Sequence, residues 1–138
     1  MGTTQELARR VVETQLDDIP KEAIDRAKEL LIDFVGTCVA GSDTFTGRKI
    51  TKYVREMGSR PEATVIANKL KTVAPYAAYA NATLCHCHEM EDVGMRGAFG
   101  AVHLLADALA LGEKLGSSGK EILESYILGH EVQGMISI

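Results

Sequence analysis

Between Leu84 and Phe99 the sequence reads LCHCHEMEDVGMRGAF, which crowds two cysteines, two histidines and three carboxylates into one short stretch. Two chemistries suit those side chains. Metal ligation is the first, since Cys85, His86, Cys87 and His88 all carry donor atoms. On a helix, however, successive side chains point about 100° apart, so four consecutive donors cannot converge on one ion. His86 with Glu89, or His88 with Asp92, would share a helix face. Neither pair completes a tetrahedral set, and no second cluster stands elsewhere in the sequence. No metal is therefore expected, and Cys85 and Cys87 read as small apolar packing in an alanine-rich helix.

Acid–base chemistry is the second. Glu89, Glu91 and Asp92 stand where a helix should end, just before Gly94. A carboxylate at a helix end facing a loop is placed to be half-buried, shifted in pKa and still within reach of a ligand. Acids there also oppose the helix dipole, a small cost that argues for a purpose other than stability. The competing reading, a solvated charged helix end, stays open on composition alone. His103, among Ala101, Val102, Leu104 and Leu105, reads as a core or interface histidine, and His130 as part of an apolar helix face. No Gly-x-Ser-x-Gly elbow supports nucleophilic catalysis, and GSSGKE lacks the spacing of a phosphate loop.

The elements that must position this stretch are helical. Thr3 and Thr4 are placed to cap a first helix with Leu7, Val11 and Val12 on one face. Pro20 suits the start of a second, where a missing N–H costs nothing. Ala23, Ile24, Ala27, Leu30, Leu31, Phe34, Val35, Cys38 and Val39 then recur at helical spacing until Gly41, a natural stop. A third helix is expected over about 46–57, with Ile50, Tyr53, Val54 and Met57 inward. The β-branched run Thr64–Ile66, between Pro61 and Asn68, reads as a short strand or connector. A small-residue helix starts at Pro75, and an Ala/Leu helix covers about 101–115. In the last helix, Ser118 and Glu121 have capping-box spacing, and Leu123, Tyr126, Ile127 and His130 make an inward face.

The expected fold is all-α: a bundle of about six helices with one short extended segment near residues 62–67, forming a single helical domain over 1–138. At 138 residues, 46% hydrophobic and 25% charged, the chain has material for a real core. Its net charge of −4 argues against nucleic acid, since no basic stripe exists to release counterions from phosphates. No lysine or arginine cluster points to a membrane surface, and no apolar run approaches the ~20 residues that cross a bilayer. Three cysteines and a polar start without a leader point to reduced thiols and a cytoplasmic setting. The apolar end GMISI points to a longer parent chain or to a partner covering it.

The chain resembles the MmgE/PrpD family along its length. AKELLIDFVGTCVAGS is similar to the family's second helix, with Asp33 and Gly36 on a recurrent L-x-D-x-x-G pattern. GSRPEATVIANKLKTVAPYAAYANATLCH resembles its extended segment and following small-residue helix, and GSSGKEILESYILGHEVQG the helix after the site. The resemblance implies the N-terminal part of a large helical domain, with the smaller lid domain absent, usually in a homodimer. It implies lyase or isomerase chemistry on small di- and tricarboxylic acids, by proton transfer beside a carboxylate, with no metal or organic cofactor.

The family pattern reads His-x-x-Asp-x-Asp-Asp-Thr, then a loop, then His-Pro-x-Gly. His86 matches its first histidine, Glu89 stands at the catalytically implicated aspartate, Glu91 replaces the next and Asp92 matches the last. Met90 replaces an aromatic residue and Val93 the threonine. Gly97 and Ala98 stand about where His-Pro is expected. The resemblance therefore implies Glu89 as base or acid, with Asp92 and His86 in support, and Arg96 as a stand-in for lost positive charge toward an anionic substrate. Activity is expected to need a C-terminal portion or a partner chain, in a homo-oligomer or complex. The rival expectation is a non-catalytic paralogue serving as an oligomerisation or regulatory subunit.

Overall fold

A computed structural model describes residues 2–94 and 99–137. The order is α1 (Thr3–Glu13), a short 3-10 turn (Leu16–Asp18), α2 (Lys21–Ser42), α3 (Phe45–Glu56), β1 (Ala63–Val65), β2 (Leu70–Thr72) and α4 (Ala74–His86). A π-helical turn (Ala101–Leu105) then runs directly into α5 (Ala106–Leu115), and α6 (Gly119–Ile136) follows. The fold is the expected all-α bundle. Among the described residues no helix is long and apolar enough to cross a membrane.

α4 is the central element, packed against α2, α3, α5 and the hairpin. Pro75 lies in its first turn, where the ring's fixed φ is already helical. Six of its seven buried residues are Ala, Leu or Cys, so neighbouring backbones come close. Gly41 does not stop α2, which runs on to Ser42. Its role is room: a Cβ there would sit 2.0 Å from the Leu84 carbonyl oxygen. Gly47 of α3 does the same toward Gly41, whose carbonyl oxygen would lie 2.0 Å from an added Cβ. Three helices thus cross on two glycines. Phe34, Cys38, Leu84, Cys85 and Leu105 fill the surrounding core with no exposed surface.

Other expectations shift in detail. α1 starts with Gly2 as its cap rather than either threonine, and buries no residue. On α3 only Ile50 and Val54 of the four expected residues are buried; Tyr53 and Met57 are about half exposed, because α3 meets α4 along one narrow ridge. The extended segment expected near 62–67 is there and has a partner: β1 and β2 form an antiparallel hairpin pairing Ala63 with Thr72 and Val65 with Leu70. Asn81, buried on α4, staples it by accepting from the Ile66 N–H (2.9 Å) and donating to the Thr64 carbonyl (3.0 Å). The capping box of α6 is formed as expected, with the Ser118 hydroxyl accepting from the Glu121 N–H (3.3 Å) and the Glu121 carboxylate accepting from the Ser118 N–H (2.6 Å).

Candidate functional site: the acidic turn after α4

α4 ends at His86 because the chain then turns back on itself. Glu89 takes the left-handed conformation, φ +50°, and its N–H bonds the His86 carbonyl at 3.3 Å. For a residue with a Cβ that conformation costs about 1 kcal/mol. The reversal sends Glu89 outward, where it is exposed, and Glu91 inward. Only 1% of the Glu91 side chain is accessible. One of its oxygens pairs with Nδ1 of His86, and the other is buried with no hydrogen-bond partner among the described residues. Asp92, half-buried, closes the turn by accepting the Ala101 N–H at 2.9 Å, which anchors it to the start of the π-helical turn. The His86 ring also meets Phe99 edge-on, with centroids 5.9 Å apart.

The structure thus brings His86, Glu91 and Asp92 into one arrangement and sets Glu89 on its outer rim. Arg96 lies outside the described residues. His88 is exposed and Cys85 is core, so the row of donors splits between inside and outside. Among the described residues no three His, Cys, Asp or Glu side chains are grouped to hold a metal ion.

This turn falls inside a longer match. The sequence profile of the MmgE/PrpD N-terminal domain covers residues 5–138. The chain belongs to the MmgE/PrpD family. It is also 25% identical over 140 residues to cis-aconitate decarboxylase of Mus musculus, an alignment covering 98% of this chain and 29% of that protein. The chain therefore spans under a third of the length of that MmgE/PrpD relative.

Behind the turn lie buried polar side chains. Tyr126 of α6 is 2% exposed, and its hydroxyl has no hydrogen-bond partner among the described residues. Burial pushes that hydroxyl's pKa up, the charge of Asp92 adds to the effect, and Arg26 opposes it. Deeper still, Cys38 donates to the Asn81 carbonyl (3.3 Å), and Cys85 lies 3.2 Å from the Thr37 hydroxyl. The neighbouring Cys85, together with burial, raises the Cys38 thiol, which stays neutral as an apolar core residue does.

His103 is not in the core of this chain, and His130 lies on the face where it was expected. His103, expected in a core or interface, is exposed, its Nδ1 2.9 Å from the Phe99 carbonyl oxygen, because the π-helical turn rotates it out of the apolar face. His130 keeps its place on the inward face of α6 but points at the turn: its ring meets Tyr126 edge-on at 6.0 Å. The signal available in the sequence was the four-residue spacing from Tyr126, which puts both rings on one face.

Proposed function

We propose that this chain forms the helical wall of an MmgE/PrpD-type lyase or isomerase site, acting by proton transfer on small di- or tricarboxylic acids. Glu89 accepts or returns the proton on the carbon beside a substrate carboxylate. Asp92 and His86 support it, His86 through its pairing with Glu91, and Arg96 is assigned by its charge to the substrate's carboxylates. The observation that carries this reading is the division of labour in the turn. Glu91 and Asp92 are turned inward and bonded, while Glu89 is held outward in a conformation that costs energy. Backbone strain of that kind gathers where function needs it.

An exposed carboxylate is a weak base toward carbon until water is excluded. The reading therefore includes a second body closing over Glu89, either the remainder of a family-length chain or a partner subunit. The 138 residues alone should not turn over. Joined to the C-terminal remainder of a family member and supplied with citrate-like and succinate-like acids, the chain should show turnover that Glu89→Gln reduces by about 10²–10⁴-fold. An unchanged kcat in that variant sinks the assignment.

A second reading is favoured by one observation. Met90 and Val93 flank the inward acids with 67% and 61% of their surfaces exposed, an apolar rim where a multiply charged substrate would need donors. On this reading the chain is a non-catalytic helical subunit. Thermal shift separates the two: a site saturated at about 100 times its Kd adds about 2.7 kcal/mol of stability. No stabilisation by any small carboxylic acid, with association to a partner chain intact, favours the subunit.

A further inference from the structure

Each inward carboxylate of the turn has an imidazole beside it, and the one beside Asp92 comes from a distant helix. Gly100 reveals it. Its backbone angles, φ −70° and ψ −54°, are ordinary helical values open to any residue, so conformational freedom does not explain the glycine. Space does. A Cβ at Gly100 would lie 2.4 Å from Cδ2 and 2.8 Å from Nε2 of His130, and 3.1 Å from Oδ2 of Asp92. The ring and the carboxylate converge on one Cα, and a methyl group would drive them off.

We propose that His130 is a positioning residue of the proton-transfer site, acting through Asp92. This rests on the reading of the turn given above. His130 and Asp92 are neighbours across Gly100, with no hydrogen bond or ion pair between them among the described residues. Tyr126, fixed by burial, packs edge-on against the imidazole at an interplanar angle of 73°. The imidazole lies against Gly100 next to Oδ2 of Asp92, and Oδ1 of the same carboxylate holds the N–H of Ala101. Tyr126 packs on the ring from the same helix, and Asp92 and Arg26 of α2 both act on the Tyr126 hydroxyl behind it. With its far end held in this way, the turn cannot rotate about Asp92. Glu89, three residues upstream, then stays where a substrate can meet it. Misplacement of a reacting group by about 1 Å can cost 10²-fold in rate.

The test uses the whole 15N-labelled chain, imidazole ring-nitrogen spectra and citrate as probe. Asp92→Asn and Gly100→Ala should each alter the ring-nitrogen pattern of His130 while exposed His103 stays unchanged. His130→Ala should weaken citrate binding about tenfold, with His130→Gln recovering part of the loss. Should Gly100→Ala fail to fold, Asp92→Asn alone decides whether His130 responds to Asp92. A His130 pattern unmoved by these changes overturns the proposal whatever citrate does. Unchanged citrate affinity in His130→Ala overturns the positioning role. Wild-type chain that binds no citrate, with the imidazole responses intact, strikes the parent reading instead; the positioning role falls with it, and the packing of His130 beside Asp92 survives.

Discussion

Along α4, seven residues from Ala74 to Cys85 are buried, and all but Asn81 are apolar. In the turn that follows, Met90 and Val93 face out while Glu91 faces in. The helix obeys the usual partition of apolar inside and polar outside; the turn inverts it. Inversion is costly, since a buried carboxylate loses water and Glu91 recovers only one partner on two oxygens. A segment kept for stability alone has no use for such a bargain, and consistency across levels breaks where function resides. The contrast makes unequal demands on mutation: the helix should be intolerant of changes in volume, and the turn tolerant of changes in charge.

The largest effect is expected at the glycine crossing. Gly41→Ala places a methyl 2.0 Å from the Leu84 carbonyl oxygen, which belongs to a helix backbone and cannot rotate aside. α2 and α4 must separate, at a cost of about 3 kcal/mol, seen as a lower urea midpoint. A loss below about 1 kcal/mol would show that the crossing is loose. Asn81→Ala comes next. It strands the Ile66 N–H and the Thr64 carbonyl at a partly buried site, which should cost about 2 kcal/mol. Hydrogen exchange should rise in the hairpin before the helices are affected.

Glu91→Gln addresses the turn itself. It keeps the shape and removes the charge, and its partner His86, half exposed, can turn to water. Replacing a buried ionic group is often neutral or stabilising, so stability should change by less than about 1 kcal/mol. A loss of about 3 kcal/mol, measured by denaturant titration, would mean that the ion pair builds the turn and that the contrast with α4 is wrong.

Helix positions were legible from the sequence because apolar spacing, Pro20, Pro75 and the Ser118–Glu121 box are local signals. The second strand was not: Leu70–Thr72 is only three residues long, and what holds it is pairing with β1 and the Lys71–Glu113 contact to a remote helix. Gly41 read as a helix stop because its requirement is contact with Leu84, 43 positions away in the chain. In the site, the acidic knot was visible as composition, but its sorting was not. Which carboxylate faces inward depends on one left-handed residue, Glu89, whose type carries no hint of that conformation. The spacing from Tyr126 put His130 on the inward face, but its approach to Gly100 was not legible, because that depends on a residue 30 positions away.

The smallest effect separates two kinds of carboxylate, one buried at the turn and one at the surface. Glu113 of α5 is fully employed, accepting from the Thr64 N–H (2.6 Å), the Thr64 hydroxyl (2.8 Å) and Lys71 (2.6 Å). Burial works to raise its pKa, but Lys71 and the two Thr64 donors outweigh it and hold it below the ordinary carboxylate value. A group depressed by folding adds stability that is fully present above its unfolded pKa. That contribution is lost as pH falls through the lower folded value. The urea midpoint should therefore decline as the solution is acidified below the normal carboxylate range. In Glu113→Gln the decline should be shallower, because that contribution is already gone. Partial exposure of the pair limits the difference to about 0.5 kcal/mol. If Glu91→Gln flattened the acid limb more than Glu113→Gln, the turn would be the carboxylate site that stabilises the fold, and its assignment to chemistry would lose its basis.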